Sequence, residues 1–172
     1  MKNLIIIAFL FVSIVSYGQV NFKGCATGSE RVASINNELE KEVLRLVNIE
    51  RKKVGLPDLK WSDQLSYSAR YHAADMATEN YFEHDSHDRK GDKLVEVCGT
   101  FDRVEKFYTD GFACAENISA GRSTAQATVD GWMNSPGHKA NILHEGAKFI
   151  GIGYYSNPNS DYTHYCVQCF GY

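Results

Sequence analysis

From Asn37 onward, Leu39, Val43, Leu46 and Val47 recur at i, i+4, i+7 and i+8, the spacing that lines one face of an α-helix. Asn37 with Glu40 forms a capping-box pattern at its start, and Gly55 and Pro57 stop it. A second helix is predicted from about Ser62, with Leu65, Ala69, His72, Ala73 and Met76 as its buried stripe and a turn at Asn80-Tyr81. His72 belongs to that stripe and reads as a core histidine with a local hydrogen bond. Tyr81 to Gly121 shows no sustained period, so it reads as a long, partly disulfide-tied connection with short elements inside it. Irregular stretches of that length are uncommon unless they serve a function. A third helix begins at Ser123, with Ala125, Val129, Trp132 and Met133 on one face. Ser135 then caps a short fourth helix whose first position, Pro136, can lack an N–H at no cost. Beyond it the period falls to two. Ile150, Ile152 and Tyr154 alternate with Gly151 and Gly153, and Tyr162 to Phe170 is aromatic and β-favouring, giving two strands joined by a turn over 156–160. Helices followed by a closing hairpin predict an α+β domain.

The N-terminus carries Lys2, an apolar run from Leu4 to Val12, and small or polar residues up to Gly18, the layout of a cleavable export signal over residues 1–18. The run is too short to cross a bilayer, which takes roughly 20 residues, and no later segment approaches it, so the chain is not expected to be a transmembrane protein. Lys23 in Phe22-Lys23-Gly24-Cys25 puts a charge where a lipid-attachment box needs apolar residues. The remaining 154 or so residues suit one compact domain. Seventeen basic against 21 acidic residues then remain, with no basic block long enough to track a phosphate backbone, so nucleic acid is a poor partner. The expected destination is outside the cell or the periplasm.

Five cysteines in an exported chain predict disulfides with one thiol left over. Cys98 with Cys114, stapling the long connection, and Cys25 with either Cys166 or Cys169 are the favoured pairs. Cys166-x-x-Cys169 lies in a predicted strand, where residues three apart face opposite ways, which argues against a redox or zinc motif.

Four segments in order resemble the CAP superfamily, the fold of cysteine-rich secretory proteins, venom allergens and plant pathogenesis-related proteins. They are Leu46-Val47-Asn48-x-x-Arg51 with Gly55-Leu56-x-x-Leu59-x-Trp61; Met76 to His84; Ala115-Glu116-Asn117-Ile118; and Gly131-Trp132-Met133-Asn134-Ser135-Pro136-Gly137-His138-Lys139-Ala140-Asn141-Ile142-Leu143, followed by Ile150-Gly151-Ile152-Gly153. The resemblance implies an α-β-α sandwich, with a small, mainly antiparallel sheet between helices, which sets the domain at residues 35–172. Residues 19–34 lie outside the resemblance and are expected to form a flexible lead tethered only at Cys25. It also implies a cleft with two histidines and two acids, in which some members hold zinc. Carried over by motif, the first histidine is His84 and the first carboxylate Glu116. Ser135 stands where eukaryotic members have the second acid. His138 resembles the histidine of bacterial members, and His164, in Thr163-His164-Tyr165, is a second candidate to face His84.

Two neutral imidazoles with water could bind Zn²⁺ while leaving an open coordination position, with Glu116 polarising that water as a candidate catalytic base or orienting an imidazole. His138, in the first turn of a helix, is biased toward its neutral form by the helix dipole. His87 reads as part of a solvated loop and His144 as an exposed surface residue. Three functions follow: an exported protein binding a lipid, peptide or cell-surface ligand, with zinc tuning the cleft; a metal-assisted hydrolase; and a non-catalytic interaction module. The first is favoured, because no Gly-x-Ser-x-Gly or His-Glu-x-x-His pattern is present and the second acid is missing.

Overall fold

The computed structural model describes residues 22–172; the predicted export signal lies outside them. Helix α1 (Asn37–Lys53) is followed by β1 (Lys60–Trp61), α2 (Asp63–Glu79), β2 (Ser86–Lys90), β3 (Lys93–Cys98), α3 (Thr100–Phe107), β4 (Ala113–Ala120), α4 (Ala125–Met133), α5 (Pro136–Ile142), β5 (Phe149–Ser156) and β6 (His164–Gly171). The main sheet has the order β1-β5-β6-β4, parallel between β1 and β5 and antiparallel elsewhere, while β2 and β3 form a separate hairpin. Among the described residues no helix is long and apolar enough to cross a membrane.

Local signals account for most helix ends. Ser62 accepts the Leu65 N–H and starts α2, and Asn80 ends it in the left-handed region at φ 55°. The cap of α1 is Asn36, one residue before the predicted one, accepting the Leu39 N–H at 3.0 Å. Glu40 therefore does not close a capping box. It is fully buried, pairs with Arg70 at 2.6 Å and accepts the Tyr154 N–H at 3.2 Å, tying α1 to α2 and β5. Thr124 caps α4 through the Ala127 N–H. Ser135 occupies the cap position of α5 with Pro136 at N1, but its side chain makes no capping bond.

The sheet is covered on both faces. On one, Leu39, Val43 and Val47 of α1 with Val129, Trp132 and Ile142 pack on Ile150, Ile152, Cys166 and Phe170. On the other, Leu65, Ala69, Ala73 and Met76 of α2 with Val104 of α3 pack on Ile118, Val167 and Cys169. Gly151 and Gly153 face α2, and a Cβ on either would stand 2.1 Å from α2 backbone atoms, of Leu65 and Ser66 or of Arg70. The alternation read from sequence is thus a way of laying a helix backbone directly on a strand.

Burial on both faces also explains the missed strand β4. Residues 115–119 are all buried, so no alternation is visible, and the region read as one long connection holds two hairpin strands, a helix and a sheet strand.

The predicted disulfides are not formed. Cys25 pairs with Cys98, and Cys114, Cys166 and Cys169 carry free thiols. The β2–β3 hairpin folds back on itself and returns Cys98 to the lead, whereas Cys114 opens β4 and the two C-terminal cysteines sit inside opposite layers of the core. Nor is the lead a tether held only at Cys25 over its described residues. Ala26 and Val32 pack with Tyr71, Ala74 and Phe107, the Phe22 ring lies 5.2 Å from that of Tyr71, and the Gly24 N–H donates to Asp88 at 3.0 Å.

Candidate functional site

The site forms at the outer edge of the sheet, where β4 is the last strand. Glu116 points from β4 into the layer of α2 and α3 and is buried. His84 stands in the turn after α2, and its Nδ1 lies 2.9 Å from Glu116 Oε1. An ionised carboxylate can only accept, so Nδ1–H is the donor, and Nε2 is left as the nitrogen offered to the adjoining hollow. That hollow, about 280 Å³, is lined by His84, Thr100, Phe101, Cys114, Glu116 and Asn141 among others.

Arg103 of α3, which sequence reasoning missed, organises the site. It is fully buried, donates from Nη2 to Glu116 Oε2 at 2.5 Å, and donates from Nη1 to the His84 carbonyl at 2.9 Å and to Ser86 Oγ at 3.1 Å. One guanidinium thus holds both the carboxylate and the backbone that presents the imidazole. Its signal was available, since Arg103, Val104 and Phe107 form one face of a short helix at i, i+1 and i+4. Asp85 docks that helix by accepting the Thr100 N–H and hydroxyl, both at 2.7 Å.

On the other face of β4, Asn117 donates to the His138 carbonyl at 3.1 Å and to Gln168 Oε1 at 3.0 Å. Asn141 of α5 donates to Asn117 Oδ1 at 2.9 Å and to the Glu116 carbonyl at 3.3 Å. These amides pin α5 against the sheet edge and complete the wall of the hollow.

The charges are set by position. Burial alone would raise the pKa of Glu116, but Arg103 and His84 overcome it and hold the carboxyl at about 2. His84 is pushed up by its bond to Glu116, against the opposing effect of burial. His138, partly buried, is pushed down by burial and by the nearby charges of His84 and Arg122.

His164 does not reach the hollow. Glu116 is opposite Cys169, and His164 lies five residues further back on β6, about 17 Å at the rise of a strand. There its Nδ1 is 2.7 Å from the Tyr154 hydroxyl. His72 is fully buried and donates from Nε2 to the Glu83 carbonyl at 2.9 Å, a core histidine. His87 Nδ1 bonds the Asp85 carbonyl at 2.9 Å within its own loop. His144 is half-buried rather than exposed and accepts the Ala147 N–H at 3.2 Å.

Residues 44–170 match the family described as the cysteine-rich secretory protein family, CAP. The chain belongs to this family. A CAP-domain neighbour among solved structures, an extracellular protein containing an SCP domain from Bacillus anthracis str. Ames, is 30% identical with a TM-score of 0.65 over 83% of this chain and 45% of its own. An outer surface protein from Borrelia burgdorferi shares the fold at 20% identity, with a TM-score of 0.67 over 83% of this chain and 96% of that one. The protein YkwD of Bacillus subtilis (strain 168) is 39% identical over 115 residues, 67% of this chain and 42% of its own length. This chain therefore spans less than half the length of these two Bacillus relatives. The α-β-α CAP architecture positions His84, Glu116 and Asn141 around one hollow, with Arg103 buried behind Glu116.

Whether zinc suits this hollow depends on its donors. His84 offers Nε2 with its Nδ1 oriented by a carboxylate, the usual support for a ligating imidazole. Among the described residues, however, no group of three or more His, Cys, Asp or Glu side chains is placed to hold a metal ion. Both Glu116 oxygens are already engaged, one by a buried cation. The residues do not fit a catalytic zinc centre, which takes three protein ligands.

Proposed function

We propose that this chain is an exported CAP-domain binding protein whose hollow, lined by His84 and Glu116 and backed by Arg103, receives the polar end of a lipid, peptide or cell-surface ligand. The observation that carries the reading is the state of Glu116. A carboxylate held at about 2, with Arg103 on one oxygen and His84 on the other, is a poor proton acceptor near neutral pH and so a poor general base. The same arrangement makes a rigid mount for His84. Its Nε2 and the Asn141 amide supply polar contacts, while Phe101, about half exposed at 48%, supplies an apolar wall. Export is supported by the N-terminal signal pattern and by the extracellular description of the Bacillus anthracis relative. In this reading His84 and His138 are two imidazole ligands that hold zinc weakly, and the ion tunes the hollow without catalysing a step.

The test is extraction and mass spectrometry of molecules that co-purify with the protein, compared between wild type and His84→Ala. A reproducible ligand depleted in the variant is expected. Turnover of a peptide or ester library that Glu116→Gln abolishes would replace the binding reading with a hydrolase. Calorimetric zinc titration checks the metal separately, with heat in the wild type that His84→Ala removes.

A further inference from the structure

Behind Glu116, polar side chains from α2, α3, β4 and β6 close into a buried ring. Arg103 of α3 donates from Nη2 to Glu116 and from Nη1 to the His84 carbonyl. His72 of α2 donates from Nε2 to the neighbouring Glu83 carbonyl at 2.9 Å, so the imidazole and the guanidinium meet at one stretch of backbone. Cys169 of β6 directs its thiol at Glu116 Oε2, 3.8 Å away, and Ser68 stands beside that sulfur. Ser68 and His72 are four residues apart on α2, which sets them side by side on one helix face. Ser68, His72 and Arg103 are all fully buried.

Ser68 Oγ, His72 Nδ1 and Arg103 Nε in this ring have no hydrogen-bond partner among the described residues. Buried polar groups are nearly always met in folded proteins, because an unmet one bears the full cost of leaving water. The three are chemically complementary. Arg103 Nε–H can only donate. With its proton on Nε2, the His72 imidazole can only accept at Nδ1. Burial first, and then the charge of Arg103, holds the His72 pKa at about 3, so the ring stays neutral near physiological pH. Ser68 Oγ can do either. Yet none of the three bonds another, so the gaps between them exceed hydrogen-bonding reach and call for a bridge.

We propose that this ring binds one internal water molecule, which accepts from Arg103 Nε–H, donates to His72 Nδ1 and makes its third bond with Ser68 Oγ. About three bonds is the usual complement of a buried water. A metal cation cannot accept from the guanidinium, and a simple anion cannot donate to the imidazole. A small neutral molecule with both capacities is what the three atoms require. The water completes the support of Arg103, whose other nitrogens hold Glu116, Ser86 and the His84 carbonyl. It thereby belongs to the mount of His84 whatever ligand the hollow receives.

A high-resolution crystal structure of the wild-type chain is expected to show one water within hydrogen-bonding distance of all three atoms. In solution, a water-selective NOE spectrum should show that water against the Arg103 Nε–H, a resonance assigned by its loss in Arg103→Met. His72→Asn keeps an acceptor near the Nδ1 position and should retain the water. His72→Gln places its amide near the Nε2 position, removes the acceptor, and should lose both the water and the NOE. The wild type carries the primary comparison, so a variant that does not fold leaves the test intact. Absence of an ordered water between the three atoms, absence of the NOE, direct bonds among the three in place of a bridge, an ion at the site, or a water retained equally in His72→Gln overturns the proposal.

Discussion

Replacing Arg103 with Met removes the buried cation while keeping an apolar stem of similar length. Glu116 would lose its 2.5 Å partner, and the His84 carbonyl and Ser86 hydroxyl would lose theirs. Breaking a fully buried ion pair from one side costs about 3–5 kcal/mol, because the remaining charge stays out of water. The sign with pH follows from the wild-type carboxyl. Its folded value of about 2 lies below the ordinary 4.5, so Glu116 contributes stability above pH 4.5 that is lost as pH falls toward 2. Without the guanidinium, burial is opposed mainly by the bond to His84, so the carboxyl rises from its wild-type value and the variant keeps less of the stability that ionised Glu116 contributes at neutral pH. The gap between the two proteins should thus be widest near neutral pH and close on acidification. Urea unfolding followed by circular dichroism between about pH 3 and pH 8 measures it directly. A neutral-pH cost under about 1 kcal/mol, or a gap that widens in acid, would refute the reasoning.

Gly151→Ala should cost about 3 kcal/mol or more, since its Cβ would stand 2.1 Å from the α2 backbone, and a thermal melt checks it. Non-reducing peptide mapping should recover Cys25 joined to Cys98 with three free thiols, and Cys25→Ser should lower stability by about 4 kcal/mol for a pair 73 residues apart. His84, raised by Glu116, contributes stability below its ordinary pKa near 6.5 that is lost as pH rises through its higher folded value; NMR titration of the imidazole in Glu116→Gln should show that elevation gone.

What the sequence made legible were features decided within a few residues. The stripes of α1 and α2, the start of α2 near Ser62, Pro136 at the start of α5 and the glycine alternation of β5 all show locally. The CAP motifs added His84 and Glu116, which the structure sets 2.9 Å apart. Strand β4 was hidden because burial on both faces erases the two-residue period. The Cys25–Cys98 pairing was hidden because it depends on where the β2–β3 hairpin folds back, a matter of three dimensions. Arg103 was hidden in a stretch that read as irregular, although a charged side chain on the apolar face of a short helix marks a buried ion pair waiting for its partner. His164 looked equivalent to His138 by motif, and only the register of β6 against β4 separates them.

Glu116 as an ionised anchor for His84 is the claim on which the binding reading depends. Selective ¹³C labelling of glutamate carboxyls, with the Glu116 resonance assigned by Glu116→Gln and followed by NMR through an acid titration, reads that state without a substrate. A midpoint near 2 is expected; a midpoint at or above the ordinary 4.5 would contradict it and return Glu116 to contention as a base.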